Sequence, residues 1–248
     1  MALPPSGTLS LGDIKGEFGG PGSPSLGDYY AGGSYVPSGT SGTNGPVPTN
    51  GTISIANFYG TSNFVPHTDT FTSGSGNATI PSGASSVIIT LQGGAGAGGG
   101  GSSDGDNEWG GGGGGSAAWV QLTRSLNGSD SGNTIAYSVG VNGGHSGPYD
   151  GSASSASGSV SGGGISASAG GGHGGTGGMP GGGGSGGTAS GGDTNNNGNA
   201  GTDGSSSQGG GGGTPPSGGD STGGDGGYGA NVSGTDGSGT TLVSFAWS

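Results

Sequence analysis

The chain has no cysteine and only two basic residues, Lys15 and Arg124, among its 248 positions. The first absence excludes a disulfide-stapled secreted module, a thiolate metal site and a thiol nucleophile. The second leaves 14 carboxylates almost unopposed, for a formal net charge of −12. Nucleic-acid binding draws most of its affinity from Lys and Arg on phosphates, so no nucleic-acid partner is expected, and anionic membrane surfaces are disfavoured for the same reason. No apolar run approaches the roughly 20 residues of a membrane span, so membrane insertion is not expected. The opening Met1-Ala2-Leu3-Pro4-Pro5 has neither the charged nor the apolar region of a signal peptide. Hydrophobic residues make up 25% of the chain, about half the usual share. A conventional core therefore cannot extend over the whole length.

What is present in excess is glycine, at 75 positions. Collagen is excluded, because glycine does not recur at every third position throughout and the 13 prolines are too few. At this glycine frequency G-x-G-x-x-G matches arise by chance, and no lysine follows any glycine loop as a phosphate-binding loop requires. His67, His145 and His173 lack metal-ligand spacing, and the serines are too numerous for any Ser/His/Asp pattern to be specific. No enzyme and no cofactor are expected.

Residues 1–62 carry an internal echo. Ser10-Leu11-Gly12-Asp13 returns as Ser25-Leu26-Gly27-Asp28, and more loosely as Thr52-Ile53-Ser54-Ile55-Ala56-Asn57-Phe58-Tyr59. Apolar residues two apart fit short strands with one buried face, and Asp or Asn suits a turn or helix start. Such short units must pack on each other or on a partner. Leu11, Ile14, Leu26, Tyr29, Ile53, Ile55 and Phe58 are the apolar residues expected to make that docking surface.

Residues 63–248 read as a glycine-rich β domain. Strand signals lie around Phe71, at Ala78–Ile80, in Val87–Leu91, in Ala118–Leu122, in Thr134–Val141 before an Asn142-Gly143 turn, and at 241–247, where Val243, Phe245 and Trp247 alternate. Between about 143 and 235, before the closing strand, the glycine region has a period. His173, Thr176, Met179, Ser185 and Thr188 fall on one three-residue spacing, and Thr222, Asp225, Tyr228 and Asn231 on another. Period three is neither helix nor strand but polyproline II. Side chains then line one edge of a rod, and two bare edges let neighbouring rods pair backbone to backbone. The fold expected is mainly β with a glycine-rich polyproline II bundle and a short N-terminal β-repeat segment.

Two sets of residues invite a binding role. Asp104, Asp106 and Glu108 place oxygens at alternate positions of a calcium-type loop, but Trp109 stands where glycine belongs and Gly115 where the bidentate Glu belongs, so a solvated acidic turn is the simpler reading. Trp109, Tyr149 with Asp150, and Tyr228 with Asp225 set aromatics beside carboxylates between glycine runs. They either pin the rods to the scaffold or stack on a sugar and accept its hydroxyl hydrogen bonds.

The opening Leu3-Pro4-Pro5-Ser6-Gly7-Thr8-Leu9-Ser10-Leu11-Gly12-Asp13-Ile14, with echoes ending at Asn57-Phe58-Tyr59-Gly60, resembles the N-terminal segment of many tailed-bacteriophage virion proteins. The remainder resembles the glycine-rich domain of phage tail fibres, in which a strand like Ile80–Val87 leads into poly-glycine and a hydrophobic strand like Thr241–Trp247 closes the domain. The glycine region is similar to that of the tip adhesins of T-even-like phages, whose polyglycine helices form a sandwich and whose distal loops touch the receptor, although the N-terminus differs from theirs. The resemblance implies a virion location, a tail fibre or adhesin-type role in host attachment, docking to other virion proteins through residues 1–62, and membership of a larger assembly. It also implies a host partner, either a cell-surface glycan or an outer-membrane protein. The alternative is a baseplate, neck or capsid appendage that binds no receptor.

Overall fold

The structure is a computed structural model that describes residues 2–144, 150–151 and 153–248. The N-terminal echoes fold as helical turns, not as the strands expected. Helix α1 spans Leu11–Phe18, and one-turn 3-10 helices span Leu26–Tyr29 and Ile55–Phe58. Each begins at a serine whose backbone N–H donates to the Asp or Asn three residues on: Ser10 to Asp13 at 2.8 Å, Ser25 to Asp28 at 2.7 Å, Ser54 to Asn57 at 2.8 Å. This is the capping-box arrangement. The apolar pairs two apart are the residue before the cap and the first helical residue. Leu9 with Ile14, and Ile53 with Phe58, occupy the positions of a hydrophobic staple. Only a minimal hairpin, β1 (Ser41–Gly42) and β2 (Gly45–Pro46), is extended here.

Two five-stranded antiparallel sheets follow. The strands are β3 (His67–Phe71), β4 (Ser75–Thr79), β5 (Ser86–Gln92), the short pair β6 (Ser102–Asp104) and β7 (Asn107–Trp109), β8 (Trp119–Ser125), β9 (Thr134–Ser138), β10 (Ser154–Val160), β11 (Gly163–Ala169), β12 (Ala189–Ser190), β13 (Thr194–Asn196) and β14 (Leu242–Trp247). One sheet has the order β13-β8-β5-β14-β3, the other β12-β11-β10-β9-β4. Val87, Ile89, Leu91, Val120, Leu122, Val243, Phe245 and Trp247 of the first face Ala78, Ile135, Ala156, Ile165, Ala167 and Ala169 of the second in a single core. The C-terminal strand lies inside its sheet, paired on both sides, and Trp247 Nε1 donates to Asp69 at 2.8 Å. Two expectations are corrected here. Residues 154–169, within the proposed glycine insert, form an ordinary hairpin because Ser154, Ala156, Ile165, Ala167 and Ala169 bury one face. Strand β9 stops at Ser138, leaving Val141 60% exposed, and Asn142 accepts a hydrogen bond from the Ala95 N–H where a turn was expected.

At one end of the sandwich the strands run on into glycine segments that belong to no sheet. Segment 110–118 lies at their centre and is buried throughout. Its N–H groups go to three neighbours in strict rotation. Gly110, Gly113 and Ser116 donate to Ser205, Thr202 and Asn199; Gly111 and Gly114 to Gly227 and Gly224; Gly112, Gly115 and Ala118 to Thr176, His173 and Gly170. Its carbonyls accept from three others. Gly93, Gly96 and Gly99 bond to Ala118, Gly115 and Gly112; Gly181, Gly184 and Gly187 to Gly110, Gly113 and Ser116; Gly210 and Gly213 to Gly111 and Gly114. The six neighbours also bond in a closed ring, through pairs such as Gly172–Gly94, His173–Ser185, Gly201–Gly184, Thr202–Gly211, Gly226–Gly210 and Gly227–Gly99. The network thus includes segments 93–101 and 110–118, upstream of the stretch in which it was expected.

The close approach explains the glycines. A Cβ on Gly112, Gly113 or Gly114 would collide with the carbonyl oxygen of Gly182, Gly211 or Gly96, each on a different neighbour. On the exposed Gly182 it would meet just two side-chain oxygens at ordinary contact distance, Thr176 Oγ1 at 3.5 Å and Asp203 Oδ1 at 3.9 Å. Gly113→Ala is expected to cost more than about 3 kcal/mol, beyond ordinary overpacking, because rigid backbone surrounds the site. Gly182→Ala should change stability by less than about 1 kcal/mol. Denaturant unfolding of the two variants checks the contrast, and equal effects would contradict close packing.

Two aspartates tie loops together. Asp130 accepts from the Ser161 hydroxyl, from the Asn127 N–H at 2.9 Å and from the Ser161 N–H at 2.9 Å. These bonds, the Ser161 hydroxyl foremost, hold its carboxyl below the usual carboxylate range. At Asp220 burial pushes the carboxyl up, but hydrogen bonds from the Thr240 N–H and hydroxyl, both at 2.9 Å, and from Gln92 Nε2 at 2.6 Å outweigh it and hold it low. A folded-state value below the unfolded one, about 3.9 for Asp, contributes stability above that pH and loses it as pH falls through the folded value. The unfolding midpoint should therefore stay level from about pH 7 to about pH 5 and drop below about pH 4. Asp220→Asn should make that drop shallower; an unchanged acid limb would sink the assignment.

Candidate functional site

The seven candidate docking residues divide by depth. Ile14, Tyr29 and Phe58 are fully buried in the N-terminal module's own core, where Phe58 meets Phe18 and Tyr29 edge to face with ring centres 6.1 and 6.3 Å apart. Leu11, Leu26, Ile53 and Ile55 are half-buried against that core. The three deep residues are therefore the module's interior, and any docking falls to its outer face.

The acidic and aromatic candidates divide in a different way. Asp225 Oδ1 accepts from the Gly212 N–H at 2.7 Å, and Asp150 accepts from the Gly174 N–H at 2.7 Å while lying 3.4 Å from His173 Nδ1. Both do what other side chains on outer segments do. Thr176 Oγ1 accepts from Gly182, Asp203 from Gly183, Thr202 Oγ1 from Gly211, and Thr235 Oγ1 from Asp225, all at 2.7–2.8 Å. An outward N–H with no segment beyond it would otherwise have only water, and the neighbouring side chain supplies the acceptor. Asp150 and Asp225 thus lace the bundle. Tyr149 lies outside the described residues.

Trp109 and Tyr228, by contrast, come together. The hairpin β6–β7 stands at the end of the glycine segments remote from the sheets, turning at Gly105, whose φ of +65° suits glycine. Trp109 ends β7, and the next residue, Gly110, makes a backbone bridge to Tyr228. The Tyr228 hydroxyl donates to the Ser206 carbonyl at 3.1 Å. Asp106, Asn107, Glu108, Trp109, Ser206 and Tyr228 line a cleft of about 630 Å3. The Trp109 indole N–H is buried without a hydrogen-bond partner.

Asp104, Asp106 and Glu108, the calcium candidates, lie on the two short strands of this hairpin and the turn between them. Asp104 Oδ1 accepts from Asn107 Nδ2 at 3.2 Å, and among the described residues no three acidic or imidazole side chains converge to hold a metal ion. Nor is any helix among them long and apolar enough to cross a membrane.

Sequence reasoning passed over two further residues at this end, Met179 and Val232, which are 55% and 46% exposed. Gly178 accepts from the Ser102 hydroxyl at 2.6 Å, and the Val232 carbonyl accepts from the Gly101 N–H at 2.9 Å, so Met179 and Val232 adjoin the foot of the hairpin. The available signal was that each is a large apolar side chain at a break in the glycine pattern.

No protein-family model matches the sequence, and no curated protein matches it either.

If Asp225 is a lace, Asp225→Ala should cost about 1 kcal/mol, because the Gly212 N–H loses its acceptor. Asp225→Asn, which keeps an acceptor oxygen, should cost less than half of that. Thermal melts of both variants check this; equal losses would point to charge instead of hydrogen bonding.

Proposed function

We propose that the glycine segments are polyproline II rods, one central and six around it, and that the chain is a bacteriophage virion appendage of the tail-fibre or adhesin type. The three-residue rotation of donors around segment 110–118 supports the rod reading, since three residues per turn point successive N–H groups in three directions. Polyproline II has no internal hydrogen bonds, so such rods persist only where neighbours satisfy them.

The single observation that carries the appendage reading is the polarity of the molecule. Ala2 of the N-terminal module shares a pocket with 82–85 and 126–128, at the start of β5 and the end of β8. The opposite ends of those strands lead into the rods, and the rods end at the β6–β7 cleft. A strand of seven residues spans about 23 Å, and a rod of eight about 25 Å. Attachment module and recognition loops thus stand about 50 Å apart across a stiff, laced body. That layout suits an external fibre: residues 1–62 dock to another virion protein, and the tip meets a glycan or protein on the host surface. On this reading the chain acts by binding.

The competing structural role, in a baseplate, neck or capsid appendage, shares the first half of this layout. Electron microscopy of whole particles labelled on this chain separates the two. The expected image has the N-terminal module against the particle and the tip outward. A tip packed inward, or an internal location, would remove the attachment role and leave a structural one.

A further inference from the structure

Among the described residues large exposed apolar side chains are scarce, and two of the five, Met179 and Val232, adjoin the same hairpin. Next to them stand the half-buried rings of Trp109 and Tyr228 and the cleft they line with Asp106, Asn107, Glu108 and Ser206. The surrounding charge has one sign. Asp104, Asp106 and Glu108 are exposed, and the chain's only two basic side chains are elsewhere. Lys15 bonds to the Gly22 carbonyl in the N-terminal module at 3.3 Å, and Arg124 pairs with Asp193 at 3.3 Å on β8. Unlike Asp150, Asp203 and Asp225, neither Asp106 nor Glu108 accepts a hydrogen bond from a rod.

We infer that the tip docks a polypeptide loop that carries lysine or arginine beside apolar side chains. Charge complementarity selects this occupant. A cation approaching the cleft meets carboxylates and two aromatic faces, and both attract it: the first by Coulomb attraction, the second through the ring quadrupole. A neutral sugar would use the aromatic faces but leave the carboxylates without a counter-charge. Anionic glycans and phosphate-bearing lipids are repelled. Met179, unbranched and adaptable, and Val232 supply the apolar contact that a charged rim alone lacks. This inference rests on the tip being a recognition end and names what it recognises.

The test immobilises the full chain and measures binding of dodecapeptides that mix Lys or Arg with Leu and Phe, the same peptides with Gln for Lys and Arg, and an array of neutral oligosaccharides. Basic peptides should bind, and the Gln peptides and oligosaccharides should not. Raising salt from about 0.05 to about 0.5 M should weaken the basic peptides. The pairs Asp106→Asn with Glu108→Gln, and Met179→Ser with Val232→Ser, should each weaken binding at least about tenfold at unchanged thermal stability. The second pair leaves net charge untouched, so its effect separates docking from diffuse attraction to an acidic protein. Equal binding of the Gln peptides, or full binding by either double variant, overturns the inference. Tip-dependent binding of neutral oligosaccharides alone overturns it while leaving the attachment role standing. Tip-dependent peptide binding by a protein whose tip faces inward in the particle supports it and removes the attachment role.

Discussion

Everything in the glycine half depends on the hydrogen bond between one bare backbone and the next. Segment 110–118 has almost no side chains to bury, yet it is buried along its length. A buried N–H or carbonyl without a partner is costly, and each backbone bond contributes only about 0.5–1.5 kcal/mol net. Ordering glycine costs more backbone entropy than ordering any other residue. No single segment, nor any pair, offsets that cost. Six neighbours closed into a ring give the central segment a partner for nearly every donor and acceptor, so each segment is held by the others.

The sandwich makes that closure possible. Strands β5 and β8 are paired through the core, and so are β10 and β11. Their ends therefore present the chain to the bundle already side by side. The last strand, β14, returns after the final glycine segment and is held between β5 and β3 by Val243, Phe245 and Trp247. The glycine chain is thereby pinned at both ends by ordinary hydrophobic burial. Between those ends, Thr, Asp and Asn side chains on outer segments accept the N–H groups that face away from any neighbour. Glycine admits the close approach, and the few other residues seal the perimeter.

This division of labour bears on function. A carboxylate beside an aromatic looks like a recognition pair in sequence, but at Asp150 and Asp225 the carboxylate is already used by the backbone. Asp106 and Glu108, on a hairpin at the far end of the glycine segments, are not used in this way. The proposed recognition surface is thus what remains once the structural duties of the polar residues have been assigned. It lies at the end opposite the N-terminal module, whose deep apolar residues are likewise occupied, as that module's own core.

The alternating strands at Val87–Leu91, Ala118–Leu122 and Leu242–Trp247 were legible from sequence because side-chain period two is a local property. So was the period of three at His173 and Thr176, since an outer segment must be bare on its inner edges. The Asp or Asn of each echo marks a helix start as its residue type suggests, but the apolar spacing beside it suggests a strand, because Leu9 and Leu11 sit two apart whether they line a strand or flank a helix start. By itself, then, the sequence determined where side chains alternate, where backbone is bare and which sign of charge prevails. Only the tertiary structure decided that 110–118 is the centre, that Asp150 and Asp225 accept the outward N–H groups of neighbouring segments, and that Trp109 and Tyr228 line one cleft. Those outcomes follow from which distant segments become neighbours, and a run of glycines carries no side chain to specify its partner in advance.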